Sequence, residues 1–254
     1  MLTTVLKIHI GNNGLGNLLF TIATGYATSI RDGKQMSCTK PNGYAEYSDN
    51  ILRNIDITSN IPKVVYAEPS FEYTEVPNVT AIDGYFQSEK FFISQRKQIL
   101  DLFSPTMDIQ KYIDGNYRKL LENNSCAIHV RRGDYIDLPN HHPVLTVDYY
   151  KKAIASIHVD YPMTNFLVFS DDIDWCKGVF RGDRFTFIEG EKDYIDLYIM
   201  SQCKNNIIAN STFSWWGAWL NKNKNKKIVA PKKWFGSLIS HNTKDLIPKE
   251  WIKV

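Results

Sequence analysis

The pattern of apolar and polar residues is regular in the second half of this chain and less regular in the first half. In the second half, short apolar runs predict strands at 126–131, 165–170, 184–188, 206–210 and 227–230. Between them, helices are predicted at 146–158, 172–179, 193–204 and 212–221, the first of them with Thr146 as its N-cap. Strands that alternate with helices across short linkers predict a parallel, doubly wound sheet with helices on both faces.

The first half opens in the same way but is less regular. A strand pattern at 5–10 leads through a glycine-rich turn into a helix whose apolar stripe runs from 15 to 30. Further strands are predicted near 35–39, 63–67 and 79–86, and helices at 48–55, from Ser88 to Phe103, and at 107–121. We therefore expect two α/β halves, 1–122 and 123–254.

Composition narrows the function classes. The 254 residues are 43% hydrophobic and carry a net charge of +3, which is too close to neutral to indicate nucleic-acid binding. The four cysteines lie far apart without a CxxC spacing, which indicates neither a zinc site nor a redox pair. Three of them lie in or beside predicted core elements and are expected to be reduced, buried thiols. No secretion signal and no apolar run of roughly 20 residues appears, which predicts a cytoplasmic protein. Peripheral membrane contact and oligomeric state stay open.

The most unusual stretch is Ile128–Tyr135, where an apolar strand runs into two adjacent arginines. Side chains alternate along a strand, so His129 and Arg131 are expected on one face. In open α/β sheets, ligands bind beyond the carboxyl ends of the strands. A permanently charged planar guanidinium there suits a diphosphate, with Asp134 able to orient it. The alternative is a surface ion-pair cluster.

Two further predicted strands end in polar residues. Asp171 and Asp172 follow the strand at 165–170, and their carboxylates can accept hydrogen bonds from the amide and amino edge of a guanine. Ser211 and Thr212 stand at the start of a helix, where free backbone N–H groups can hold phosphate oxygens. The tryptophans that follow are expected to pack that helix against the sheet.

The glycine-rich turn of the first half is a weaker signal. It matches neither GxGxxG nor a Walker loop. Gly14 and Gly16 would allow a ligand to approach the backbone at a helix N-terminus, and Asn17 could add an amide. A plain tight turn, with Asn17 as a cap, is the alternative.

Together these segments resemble the α-1,2-fucosyltransferases of glycosyltransferase family 11. The resemblance rests on Gly14-Leu15-Gly16-Asn17, His129–Tyr135, Phe169–Asp172 and Asn210–Trp219. It implies a GT-B fold, with two Rossmann-like halves facing a cleft, the first on the acceptor side and the second binding GDP-fucose. It further implies an inverting, metal-independent transfer of L-fucose, with no cofactor. The acceptor would be O2 of a terminal β-galactose on an oligosaccharide or glycolipid, giving an α-1,2 linkage.

The resemblance also assigns expected roles to residues. Arg131 would hold the diphosphate and stabilise its charge as the glycosidic bond breaks. His129 would contact the donor, Asp171 or Asp172 would bind guanine, and Asn17 would reach in from the first half. The lining of the phosphate and base pocket would come from Ser211, Thr212 and Phe213. Asp134 is a candidate base, and His142 a candidate residue of the acceptor side.

Two alternative functions are also compatible with the sequence. Asp172-Ile173-Asp174 imitates the DxD manganese site of a metal-dependent glycosyltransferase that uses another nucleotide sugar. The chain's 33 aromatic residues, the sum of 13 Phe, 14 Tyr and 6 Trp, would also suit a non-catalytic sugar-binding module. Sensitivity to a chelator would favour the first alternative, and glycan binding without turnover the second.

Overall fold

The computed structural model describes residues 5–8, 14–41, 43–59 and 65–254. The chain forms two units. Unit 1 consists of Met1–Thr106 and His241–Pro248, and unit 2 consists of Met107–Ser240 and Lys249–Val254. The division therefore lies before the helix at 107–121, whereas the pattern placed it after that helix, and a short segment near the C-terminus belongs to unit 1.

Unit 1 is built on a parallel sheet. Its strands are β1 (Val5–Ile8), β2 (Gln35–Thr39), β3 (Ile57–Thr58), β4 (Tyr66–Ala67) and β5 (Ala81–Asp83), and its α-helices are α1 (Leu15–Arg31), α2 (Tyr44–Tyr47) and α3 (Arg96–Leu102). The strand order is β3-β2-β1-β5-β4, and each of these pairs is parallel. The order reverses between β1 and β5, and open α/β sheets bind ligands at such a reversal, beyond the carboxyl ends of the strands.

Helix α1 lies close against the sheet. A Cβ atom built on Gly25 would come within 2.1 Å of Ile8 Cδ1. Only a glycine allows the helix to approach β1 at this distance without moving the isoleucine. The apolar stripe of α1 is accordingly buried along most of its length.

Unit 2 contains a longer parallel sheet. Its strands are β6 (Ser125–Val130), β7 (Asn165–Ser170), β8 (Phe185–Phe187), β9 (Asn205–Ile207), β10 (Ile228–Ala230) and β11 (Ile252–Lys253), and its helices are α4 (Met107–Glu122), α5 (Val147–His158), α6 (Ile173–Val179), α7 (Asp193–Gln202) and α8 (Thr212–Trp219). The order β11-β10-β9-β6-β7-β8 is that of a Rossmann fold. The order reverses between β6 and β9.

The core of unit 2 explains the tryptophan-rich segment. Trp215, Trp216 and Trp219 are at most 1% exposed, so their expected packing role is confirmed. Trp251 packs against Trp215 with a centroid distance of 5.4 Å. The aromatic residues thereby hold α8 and the C-terminal strand in the same core, and burying such rings is a major source of stability. All four cysteines are buried and free, whereas burial was expected for three of them.

Most predicted elements are confirmed within one to three residues at their ends, but two are wrong. Residues 48–55 form turns, because the Asn50 side chain accepts the Ile51 N–H at 2.6 Å and so competes with helical bonding. The helix expected from Ser88 to Phe103 is split into two 3₁₀ turns and α3, since Phe92 has φ −141° and is fully buried. Helix α2 and strands β3 and β11 were not predicted.

Some expectations fall outside the described residues, namely the end of the first strand at 9–10 and residues 63–64 of another. In the described part of the chain, no helix combines the length and the hydropathy needed to cross a bilayer.

Candidate active site

Three loops meet at the carboxyl edge of the unit 2 sheet. They follow β6, β7 and β9, which are neighbouring strands in the order β9-β6-β7. The register pairs Val130 with Ser170, so the residues after these two positions emerge side by side. This places the arginine motif, the paired aspartates and the start of α8 where the strand order reverses.

The guanidinium of Arg131 is held between two carboxylates. Its Nη2 donates to Asp134 Oδ1 at 2.7 Å, and its Nη1 lies 3.0 Å from Asp171 Oδ2. The group also lies over the Tyr135 ring, with Cζ 5.5 Å from the centroid. The Arg131 side chain remains 36% exposed, so the planar fork is oriented by the protein while part of it still faces outward. Such a preorganised cation suits a diphosphate.

Arg132 is bound more deeply. Its backbone N–H donates to Asp171 Oδ1 at 2.9 Å, and its Nε donates to Asp172 Oδ2 at 2.9 Å. The guanidinium stacks over Trp175 with Cζ 4.2 Å from the ring centroid. Arg132 therefore joins the loop after β6 to the loop after β7, and its geometry is that of a structural clamp.

Asp172 binds the Arg132 guanidinium and is also the N-cap residue of α6. Its Oδ1 accepts the backbone N–H of Trp175 and so caps α6. Hydrogen bonding to Arg132 lowers the pKa of Asp172, so the carboxylate is ionised at neutral pH. Asp174, the second member of the DxD-like triplet, lies within the first turn of α6.

Gly133 is required by close packing. A Cβ atom at this position would lie 2.6 Å from Asp171 Oδ2 and 3.2 Å from its Cγ. The absence of a side chain at Gly133 is therefore what lets the Asp171 carboxylate reach both arginines.

His129 is buried below the arginine cluster. It is 6% exposed, and its ring packs at 5.5 Å from the ring of Phe213. Burial, reinforced by the charge of Arg131, lowers the pKa of His129 to about 3, so the ring is neutral. Its Nδ1 atom finds no hydrogen-bond partner among the described residues. A neutral imidazole with an unused nitrogen can still exchange a hydrogen bond with a ligand.

The start of α8 completes the unit 2 cluster. Ser211 is the N-cap residue, but its hydroxyl makes no capping bond, and Thr212 and Phe213 form the first turn. The preceding Asn210 is fixed, because its Nδ2 donates to the carbonyls of Pro143 and Trp234, at 3.0 Å each. The Ser211 hydroxyl and the free N–H groups of the first turn are therefore available to an anion.

His142 lies in the same loop system as the arginines. Its ring stacks on Tyr135 at 4.8 Å and tilts against Phe235 at 5.8 Å. Burial lowers its pKa, so the ring is predominantly neutral at neutral pH. Tyr135 is anchored in turn by its hydroxyl, which donates to the carbonyl of Asn210 at 3.1 Å. His142 is thus connected to the arginine motif through Tyr135.

Unit 1 carries the remaining predicted residues. Gly14 is the extended N-cap of α1, Gly16 is buried in the first turn, and Asn17 is partly exposed beside it. Asn17 Oδ1 accepts a hydrogen bond from Gln87 Nε2 at 2.9 Å. Asn17 therefore does not act as the helix cap, since Gly14 occupies that position.

Several residues of these clusters had no role predicted from the sequence. Arg132, Trp175 and Tyr135 build the frame around Arg131, and Gln87 binds Asn17. Gln87 could have been noticed, because it is a lone amide that follows two aromatic residues just past a predicted strand. Within the described residues, no group of three or more His, Cys, Asp or Glu side chains has the arrangement of a metal site.

Comparison with known proteins gives the class. The profile of Glycosyl transferase family 11 matches residues 15–254, so the chain belongs to this family and is a glycosyltransferase. Solved structures support the GT-B fold. The NodZ α-1,6-fucosyltransferase soaked with GDP-fucose has a TM-score of 0.56 at 13% identity, covering 86% of this chain and 92% of that one.

Curated relatives carry more specific names. The O-antigen biosynthesis glycosyltransferase WbnK of Escherichia coli is 40% identical over 71% of this chain, a match that spans 62% of WbnK. An α-1,2-colitosyltransferase of Escherichia coli is 30% identical over 95% of this chain and 96% of its own length. A galactoside 2-α-L-fucosyltransferase of Caenorhabditis elegans is 28% identical, with 74% and 57% of the two chains covered.

Proposed function

We propose that this glycosyltransferase moves L-fucose from GDP-β-L-fucose to O2 of a terminal β-galactose, forming an α-1,2 linkage with inversion. The observation that carries the proposal is the Arg131 guanidinium, held by two carboxylates at the point where the unit 2 strand order reverses. The acceptor would be a galactose-terminated oligosaccharide or glycolipid. The names of the curated relatives support both the linkage and the class of acceptor.

The donor would be bound by unit 2. Arg131 would pair with the diphosphate, and the Ser211 hydroxyl with the first-turn N–H groups at Thr212 would hold phosphate oxygens. The unused Nδ1 of His129 would share a hydrogen bond with the donor, and Phe213 would flank the base.

The carboxylates of the clamp are the candidates for guanine recognition. Asp171 and Asp172 bind arginines on one side, but each carboxylate has about four lone-pair sites. Their side chains are 25% and 30% exposed, so lone pairs remain accessible to the N1–H and amino group of a guanine. Asp171 would then couple base binding to the orientation of Arg131, since it contacts that guanidinium directly.

The reaction needs a stabilised leaving group and a place for one proton. As the bond from fucose C1 to the β-phosphate oxygen breaks, negative charge accumulates on GDP, and Arg131 is positioned to stabilise it. The acceptor O2 attacks the opposite face of C1, which converts the β-linked donor into an α-linked product. Asp134, 56% exposed and 2.7 Å from Arg131 Nη2, is our candidate to accept the proton of the hydroxyl.

His142 is our candidate for contact with the acceptor. The neutral His142 ring offers an aromatic surface and an unpaired Nδ1 among the described residues. In unit 1, Gly14 and Gly16 at the start of α1 would let the GDP-fucose donor approach the backbone, and Asn17 is a candidate catalytic residue.

A second donor is favoured by one observation. The relative that matches nearly the full length of this chain is named an α-1,2-colitosyltransferase. GDP-colitose differs from GDP-fucose by the loss of the sugar 3-hydroxyl. The same Arg131-centred site would serve either donor, because the diphosphate and the guanine are common to both.

The test is a transfer assay with GDP-fucose and GDP-colitose against a panel of β-galactosides, with and without EDTA. We expect product from at least one donor, undiminished by EDTA, with an α-1,2 linkage in the product's NMR spectrum. Activity that EDTA abolishes and manganese restores would favour a metal-dependent mechanism instead. If the protein binds GDP but transfers sugar to no galactoside, the acceptor assignment is wrong. If it neither binds GDP nor transfers sugar, the donor assignment is wrong.

A further inference from the structure

A second site-like arrangement lies where the strand order of unit 1 reverses. Helix α1 follows β1, and the segment 84–88 follows β5, and these two strands are neighbours in the sheet. Asn17 in the first turn of α1 and Gln87 in the segment after β5 meet at the carboxyl edge of the sheet through a 2.9 Å hydrogen bond. We call these two residues the amide pair. Positions where the strand order reverses are the usual ligand sites of open α/β sheets.

The hydrogen bond determines which atoms of the amide pair remain for a ligand. Gln87 Nε2 donates to Asn17 Oδ1, so the Asn17 amide turns its Nδ2 group away from Gln87. Gln87 itself is 7% exposed, yet its Oε1 has no hydrogen-bond partner among the described residues. The pair therefore offers a donor on Asn17 and an acceptor on Gln87. A sugar hydroxyl both donates and accepts, and it complements this arrangement.

The segment that carries Gln87 is held rigidly at a conformational cost. Phe86 has φ +49°, a left-handed value that is unfavourable for a bulky residue. Glu68 Oε2 accepts the N–H groups of Tyr85 and Phe86 at 2.8 and 3.0 Å, which holds the turn. Such local strain persists only where surrounding contacts enforce it, and it concentrates at functional sites.

The turn is also attached to α1. Thr21 Oγ1 donates to the carbonyl of Gly84 at 2.9 Å, one helical turn beyond Asn17. Gly84 has φ +156°, and a Cβ atom there would lie 2.5 Å from Glu68 Cβ. The position of Gln87 relative to α1 is thus set by several independent contacts.

We propose that Asn17 and Gln87 together bind a hydroxyl group of the sugar substrate, with Gln87 accepting from it and fixing the Asn17 amide that donates to it. The proposal rests on the sugar transfer proposed above and adds a specificity-determining residue, Gln87, to it. The hydroxyl belongs to the acceptor galactoside or to the transferred sugar, and the two sources are separable by experiment.

The test combines enzyme variants with substrates that lack single hydroxyls. Gln87→Met keeps the length of the side chain and removes both the carbonyl oxygen and the amino group of its amide. Leaving a buried hydrogen-bonding group unpaired costs about tenfold to hundredfold in binding. We expect kcat/KM of Gln87→Met to fall by that factor on the complete substrates. On the one deoxygenated substrate whose missing hydroxyl is the partner of Gln87, the variant and the wild type should be equally slow.

Two arms locate the hydroxyl. If the variant and the wild type become equally slow on a deoxygenated β-galactoside, the hydroxyl belongs to the acceptor. If they become equally slow with a GDP-sugar that lacks one fucose hydroxyl, it belongs to the donor. The matched control is Ser88→Ala on the same turn, which removes the bond from Ser88 Oγ to the Asp245 carbonyl at 2.7 Å. For Ser88→Ala, kcat/KM should fall below the wild-type value by the same factor on every substrate. If Gln87→Met also loses a uniform factor, or retains the wild-type rate, the proposal fails.

A binding measurement separates this proposal from the proposed function. The side-chain amide signals of the pair are assigned in ¹H–¹⁵N NMR spectra by their loss in Gln87→Met and Asn17→Asp. They should shift when methyl β-galactoside or GDP-fucose is added, whether or not turnover occurs. Shifts without any transfer would sustain the amide pair and overturn the transferase assignment. Transfer with no shift from either compound would overturn the amide pair alone.

Discussion

Replacing Arg131 with lysine tests the proposed chemistry while preserving the charge. The guanidinium places Nη1 3.0 Å from Asp171 Oδ2 and Nη2 2.7 Å from Asp134 Oδ1, so two of its nitrogens are engaged at once. A lysine ammonium has one nitrogen on a flexible stem and cannot bridge both carboxylates with the same geometry. The substituted cation is therefore present but no longer oriented.

The size of the effect differs between stability and catalysis. Arg131 is 36% exposed, so each of its ion pairs contributes at most about 1 kcal/mol to folding. At roughly 2–4 °C per kcal/mol, the melting temperature should fall by only a few degrees. Removing one preorganised donor from transition-state charge costs about 10²–10³ in kcat. We expect Arg131→Lys to lose that factor in transfer and Arg131→Ala to lose at least as much.

The assay measures kcat and KM for GDP-fucose together with thermal unfolding. The matched control is Arg118→Lys on α4, where an exposed arginine pairs with Glu122 four residues later. It should leave both rate and melting temperature nearly unchanged. An Arg131→Lys protein that transfers fucose within about threefold of the wild-type rate would refute the role of the oriented fork. A melting temperature lowered by more than about 10 °C would show that Arg131 is mainly structural.

Further expectations concern other groups of unit 2. Gly133→Ala places a Cβ 2.6 Å from Asp171 Oδ2, so we expect the free energy of unfolding to fall by about 1–3 kcal/mol. Calorimetry should also show weaker GDP binding. An unchanged stability together with an unchanged GDP affinity would contradict the tight packing. Burial raises the pKa of Asp196 to about 7, so the folded protein retains a proton that the unfolded chain loses near pH 3.8. Stability should therefore decline by about 4 kcal/mol as pH rises from 4 through 7, a slope that Asp196→Asn removes in denaturant titrations. Burial lowers the pKa of His129 to about 3, so the neutral ring contributes fully to the free energy of unfolding above pH 6.5 and loses that contribution as the pH falls. In His129→Phe, the free energy of unfolding should therefore depend less on pH between 6.5 and 4. An unchanged pH dependence in this range would contradict the burial of a neutral His129.

Local pattern predicted the elements because burial imposes a 3.6-residue period on a surface helix and a short continuous apolar run on a strand buried on both faces. The stripe of α1, the apolar β6 and β7, and the Thr146 cap of α5 were visible for this reason. The pattern failed where side chains compete with the backbone or where tertiary burial outweighs helix formation. Asn50 and Phe92 are the respective examples.

The sequence by itself determined that charged residues follow β6 and β7 and that uncharged polar residues follow the strand before α8. It also determined that such residues lie together if the strands are parallel neighbours. Only the tertiary structure decided the partners. Asp171 bridges Arg131 and Arg132 because β6 and β7 are in register and Gly133 leaves space. Contacts between residues far apart in sequence, such as Asn17 with Gln87, depend on strand order, and no local periodicity encodes that order.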